Sequence, residues 1–122
     1  PNAERVHFVQ TFLFNDDNSD KGDAVLTALK ARYPEIKSLA DVTPAVGIAN
    51  AYDALHLAAL AIEKAGSTKG PEVRDGFYAI EQYDGLIKQY QKPFSPQKHD
   101  ALGPNDYVMG HFVGDQIVPV KP

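Results

Sequence analysis

Two periods of apolar residues run along this chain, and they place strands at its ends and helices between. Val6–Phe14 (VHFVQTFLF) is β-branched and aromatic, with Val6, Phe8, Phe12 and Phe14 on one parity and Val9 and Leu13 on the other. A strand apolar on both parities is expected to be buried on both faces. Asn15–Asp23 (NDDNSDKGD) is turn chemistry ending in a Ser/Asp helix start. Val25, Leu26, Leu29 and Tyr33 then recur at helical spacing until Pro34 stops the segment.

The strongest helical pattern is Asn50–Ala65 (NAYDALHLAALAIEKA), with Asn50 as N-cap, Asp53 as its partner three residues on, and Gly66 at the far end. At about 100° per residue, Asp53, His56, Glu63 and Lys64 fall in one arc of about 100°, and the rest of the circumference is Ala, Leu, Ile and Tyr52. Such a helix is expected to be covered on several sides. Pro71 opens a third helix, with Val73, Phe77 and Ile80 inward, Gly76 weakening it by about 1 kcal/mol relative to Ala, and an end near Tyr83. From Gly85 onward the pattern is Leu86–Tyr90 as a strand, a loop from Pro93 to Asp106, then strands Tyr107–Val113 and Gln116–Val120 joined at Gly114–Asp115. The predicted order is strand, three helices, antiparallel finish. Three apolar-faced helices need a sheet, yet a single long strand precedes Gly85, so the chain either docks on partners or belongs to a longer polypeptide.

The chain has 122 residues, 43% of them hydrophobic and 23% charged, which is the composition of one folded unit. Lys+Arg 12 against Asp+Glu 16 gives a net charge of −4, and without a basic cluster nucleic acid is excluded as an expected partner. No cysteine is present, so disulfides, thiolate catalysis and zinc–cysteine sites are excluded together. No apolar run approaches the roughly 20 residues that cross a bilayer, and Pro1–Val6 lacks the basic start of a leader. A start at Pro1 rather than Met suggests a processed or excised segment.

Asp16, Asn18 and Asp20 alternate as in a calcium loop, but the sixth position is Lys21 rather than Gly, Gly22 comes one late, and the twelfth is Thr27 rather than Glu. His7, His56, His99 and His111 show no i, i+4 pairing, so no metal is expected. His99–Asp100 has the composition of an oriented base, but no Ser or Cys elbow accompanies it. Gly66–Gly70 (GSTKG) lacks the residues of a phosphate loop and reads as a connector. No nucleophile, base and orienter assemble, so a non-enzyme with no cofactor is expected.

The segment NAYDALHLAALAIEKAG at Asn50–Gly66, the PEVRD helix start at Pro71 and the run HDALGPNDYVMGHFVGDQIVPV at His99–Val120 resemble, in that order, the C-terminal third of a type I periplasmic solute-binding protein. The likeness is to the leucine/isoleucine/valine-binding family of ABC transporters, and it covers nearly the whole chain. It implies an α/β fold of two lobes joined by three crossings, with the ligand in the cleft between them. Residues 1–14 would end the second lobe as a strand. Residues 15–84 would form a crossing near Phe14–Asp17 and the helices of the first lobe. Residues 85–122 would return near Gly85–Tyr90 to the second lobe and complete it with a terminal hairpin.

The resemblance further implies that the loop entering the AYDAL helix lines the cleft. In branched-chain binders an aromatic residue shortly before the Tyr encloses the ligand. Ala45–Tyr52 (AVGIANAY) offers Gly47, Ile48 and Asn50 and no such aromatic, which favours an amino acid relative such as an aromatic acid or a short amide over Leu, Ile or Val. Gly47, Ile48, Asn50 and Tyr52 are the expected ligand residues, with unpaired N–H groups of the helix start beside them. Phe12, Phe14 and Asn15, and Gly85, Lys88 and Gln89, are the expected hinge. The function so implied is extracytoplasmic, periplasmic capture of a small solute by hinge closure and its presentation to a membrane ABC permease, with the rest of the same polypeptide as partner. The alternatives are a cytoplasmic ligand sensor of the same fold and a stand-alone interaction domain.

Overall fold

A computed structural model of the chain describes residues 3–15 and 18–120. These divide into two compact units, one of residues 1–48 and 107–122 and one of residues 49–106. Asp16 and Asp17, part of the expected crossing near Phe14–Asp17 and of the calcium-like run, lie outside the described residues.

In the first unit, strand β1 (His7–Gln10) is shorter than the expected Val6–Phe14. It is an edge strand, followed in the sheet by β4 (Val108–Val113) and β5 (Gln116–Pro119), all antiparallel. The expectation of burial on both faces is not met: Val6 is 55% and Val9 58% exposed. Val6 precedes the strand and Val9 is on the open face of the sheet, while Phe8 and Phe112 pack together on the other face, with ring centroids 5.3 Å apart. The hairpin expected at Gly114–Asp115 forms, with Val113 paired to Gln116.

Helix α1 (Asp20–Arg32) starts where its sequence signals place it. The Ser19 hydroxyl accepts from the Gly22 N–H at 3.2 Å, Asp20 and Asp23 occupy the positive first turn, and Lys30 and Arg32 the last. A short 3-10 turn, Leu39–Asp41, follows. The Asp41 carboxylate accepts from the Ser38 and Lys37 N–H groups at 2.8 and 3.0 Å, and these bonds hold its pKa below the ordinary 3.8.

Helix α2 spans Ala45–Ala65, so Asn50 is an interior residue and not the N-cap. The helix is already formed before Asn50 because Pro44 stands at its threshold, where a missing N–H costs nothing, and Ala45–Ala49 carries no breaker beyond Gly47. The expected loop at Ala45–Tyr52 is therefore helix. At 21 residues, with a mean hydropathy of 1.4 over an 18-residue window, α2 is long and apolar enough by length and composition to cross a membrane, contrary to the sequence expectation. A buried carboxylate at Asp53, hydrogen-bonded as described below, marks it instead as a helix of a folded unit. The far end is as expected: Gly66 has φ 59° and its N–H donates to the Ile62 carbonyl at 2.9 Å.

Helix α3 (Gly70–Tyr78) ends well before Tyr83, which lies instead in strand β2 (Gln82–Asp84). Strand β3 (Gln89–Gln91) pairs antiparallel with β2, so the expected strand Leu86–Tyr90 is instead the turn and start of a hairpin, closed by the Gly85 N–H on the Lys88 carbonyl at 2.9 Å. The core of this unit is Leu57, Ala61 and Ile80, with Val73, Phe77, Tyr83 and Phe94 packed on it. Gly76 is where α3 touches α2: a Cβ there would lie 2.1 Å from the Ala61 carbonyl oxygen.

Candidate functional site

The buried side of α2 in the second unit repeats every four residues as Ala49, Asp53, Leu57 and Ala61. The expected solvent arc thus contains one residue that faces inward, whereas Leu55, expected to be covered, is 71% exposed. Asp53 is 2% exposed. Its carboxylate accepts from the Leu86 N–H at 2.6 Å, the Ile87 N–H at 2.9 Å, the Tyr90 hydroxyl at 2.9 Å and, more weakly, the Tyr83 hydroxyl at 3.4 Å. A carboxylate has lone pairs for four donors, and here all come from one hairpin. Leu86 and Ile87 turn their N–H groups to Asp53 instead of to a ladder, which is why no strand forms there. Gly85 is required for this close approach, since a Cβ would sit 2.5 Å from the Tyr90 ring and 2.7 Å from the Asp53 carboxylate.

Burial, and next the charge of Asp53, push the Tyr83 hydroxyl far above its ordinary pKa; burial and next the hydrogen bond to Asp53 do the same for Tyr90. Both remain donors across the physiological range. Tyr83 stacks on Tyr90 at 5.9 Å between centroids and on His56 at 6.3 Å, and His56 in turn lies 4.2 Å from the Tyr52 ring. The His56 Nδ1 is 2.8 Å from the Tyr52 carbonyl oxygen.

Beside this network is a pocket of about 330 Å³ lined by Asn50, Asp53, Leu57, Tyr90, Phe94 and Leu102, among others. Its size and its mix of apolar wall with a few polar groups suit a small organic molecule. Asp100 borders it and is held by its own loop, accepting the Leu102 N–H at 3.1 Å. His99 Nε2 lies 3.1 Å from the Tyr78 hydroxyl, the two rings stacked. A second, shallower apolar groove of about 550 Å³ lies over Val73, Phe77 and Phe94. In the first unit a cavity of about 120 Å³ is bounded by Phe14, Phe112 and Ile117 and by Thr43–Val46 at the start of α2. The start of α2, where the Gly47 N–H donates to the Pro44 carbonyl at 3.1 Å, is therefore beside Thr43–Val46 and not beside Asn50.

Of the four expected ligand residues, Asn50 lines the 330 Å³ pocket. Tyr52 is half-buried in the ring stack and lies about 160° around the helix from Asn50. Gly47 and Ile48 belong to the first unit; Gly47 is exposed, and a Cβ there would meet only Pro44 Cγ at 3.5 Å. Of the expected hinge residues, Phe12 and Phe14 pack ring to ring at 4.8 Å, and the Asn15 N–H donates to Asn18 Oδ1 at 3.0 Å. Gly85 opens the hairpin turn, Lys88 pairs with Asp106, and Gln89 faces Asp84 in the ladder. The anchoring role of Asp53 escaped the sequence reading. Its signal was available in Asp84–Gly85, a hairpin dipeptide flanked by Tyr83 and Tyr90. Among the described residues no group of three or more His, Cys, Asp or Glu is placed to hold a metal ion.

No family model and no curated protein matches the sequence. Among solved structures, the crystal structure of a type 1 periplasmic binding protein from Bordetella pertussis Tohama I matches with a TM-score of 0.72 and 22% identity. The match covers 97% of this chain and 33% of that protein, so the chain spans about a third of the neighbour's length. The fold is a mixed helix and strand arrangement corresponding to a portion of a type I periplasmic binding protein.

Proposed function

We propose that this chain is part of an extracytoplasmic solute-binding protein that captures a small organic solute and acts without catalysis. The observation that supports this reading is the fold itself, matched over 97% of the chain by a periplasmic binding protein. The solute class is an amino acid or a relative of one, such as an aromatic acid or short amide. Asn50 and the Tyr90 ring, in a pocket of about 330 Å³, suit such a mix of polar and flat apolar groups. The partners in this reading are the rest of the same polypeptide and a membrane ABC permease of the branched-chain amino acid type.

Capture proceeds by hinge closure. Residues 1–14 and 85–122 belong to one lobe and residues 15–84 to the other, and Asn50 is the α2 residue at the solute in this pocket, Ile48 and Tyr52 being on the far side of the same helix. Phe12, Phe14 and Asn15 take up the motion at one crossing and Gly85, Lys88 and Gln89 at the other. Asp53 anchors the turn at Gly85 and so fixes where that bending begins. A cytoplasmic sensor with the same fold is the second reading, and it differs in its partner and not in its solute site.

The test is thermal unfolding of the full polypeptide carrying this segment against a panel of amino acids, aromatic carboxylates and small amides. A true ligand at 100 times its Kd adds about 2.7 kcal/mol of stability, a rise of several degrees in Tm. X-ray scattering then reads closure as a smaller radius of gyration. A panel with no stabilising member would overturn the proposal, and solute uptake in vesicles with the permease separates importer from sensor.

A further inference from the structure

Pairing of β1 with β4 sets His7 directly opposite His111 and Val9 opposite Met109. Residues opposite each other, and residues two apart on one strand, share a face, so both imidazoles and the chain's single thioether are on the same side of the sheet. His7 is exposed, His111 half-buried and Met109 44% exposed. The His7 and His111 rings meet edge to face with centroids 5.7 Å apart.

That separation fits a shared ion. With metal–nitrogen bonds of about 2.0–2.1 Å, each ring centroid lies about 3.2 Å from the metal, and trigonal to tetrahedral angles put the two centroids about 5.2–5.5 Å apart. The centroid separation is within a few tenths of an ångström of that range, and rotation of the rings out of their edge-to-face pose about the exposed His7 side-chain bonds turns a nitrogen of each toward one ion. The three strands carry no acidic residue and no Lys or Arg, so nothing on them favours a hard cation or repels a soft one. Two imidazoles with a thioether form a donor set that suits copper in its monovalent state. We propose that His7, His111 and Met109 bind one Cu(I) ion on the exposed face of this sheet. Local spacing does not show the site, because its two histidines come from opposite ends of the chain.

The test is competition of the full chain against a colorimetric Cu(I) chelator, with ascorbate present. One ion per chain is expected. His7→Ala and His111→Ala each weaken binding at least tenfold, the double variant is little worse than either single one, and Met109→Leu weakens Cu(I) several-fold while leaving Ni²⁺ unchanged. His56→Ala and His99→Ala have no effect. Because His111→Ala removes a half-buried ring, the wild-type protein supplies a second reading: at one equivalent of Cu(I), the imidazole NMR signals of His7 and His111 shift and those of His56 and His99 stay. Binding that survives the double variant, or shifts centred on His56 or His99, overturns the proposal.

Discussion

Asp53 on α2 and Tyr90 on β3, separated by 37 residues, are joined by a hydrogen bond of 2.9 Å in which the phenol donates to a buried carboxylate. With the Leu86 and Ile87 N–H groups on the same side chain, this bond ties the hairpin turn to the helix. Asp53→Asn places an amide donor against these donors, and we expect a loss of about 2–4 kcal/mol in urea unfolding of the protein. Tyr90→Phe removes one donor and costs about 1–1.5 kcal/mol. The two changes together cost less than their sum, because both act on one network.

Gly76→Ala reverses a propensity argument. In an isolated helix the change gains about 1 kcal/mol, but here the new methyl collides with the Ala61 carbonyl, 2.1 Å from the ideal Cβ. A net loss of about 1–3 kcal/mol is expected from overpacking at a backbone that cannot yield. Thermal denaturation of the variant reads the sign directly, and a stabilised variant contradicts the close packing of α2 and α3.

Ser19 and Asn50 both read as helix starts in the sequence, and only Ser19 caps a helix. Ser19 caps α1 through the Gly22 N–H, so Ser19→Ala costs about 1 kcal/mol. Asn50 is interior to α2, and Asn50→Ala changes stability by no more than about 0.5 kcal/mol, since alanine is the better helix former. Chemical unfolding separates the two. In the proposed solute site, Asn50→Ala still weakens binding, which calorimetry reads independently of stability.

Asp106 gives an acid-dependent contribution of known sign. The Lys88 ammonium, and after it the Gly103 N–H, hold the Asp106 carboxyl below its ordinary value of 3.8. A carboxyl depressed in the folded state adds stability that is complete above the unfolded value and disappears as pH falls through the folded one. Tm measured from neutral pH downward is expected to drop below about pH 4 with Asp106 as one contributor. Lys88→Met should lower Tm most at neutral pH, where the pair is complete, and least in acid, where Asp106 is protonated, so that the acid limb flattens. An unchanged acid limb in the variant contradicts the pairing.

The sequence by itself determined whatever depends on neighbours along the chain. Ser19 before an apolar period starts α1, Gly66 ends α2, Pro71 opens α3 and Gly114–Asp115 closes the last hairpin, because caps, left-handed glycines and prolines act within a few residues. The quoted motifs also carried the binding-protein resemblance, and the fold agrees with it. The tertiary structure alone decided which polar residue is buried, where a strand gives way to a turn and which glycine is required. Asp53 looked like a solvent residue on a polar arc until Leu86, Ile87 and Tyr90 were brought to it, since a buried carboxylate is stable only where distant donors converge. Val9 looked like core until the sheet showed its outer face uncovered, and His7 and His111 looked unrelated until strand pairing set them opposite each other. Side-chain periodicity is a local property, whereas burial and site assembly are set by contacts between segments far apart in the chain.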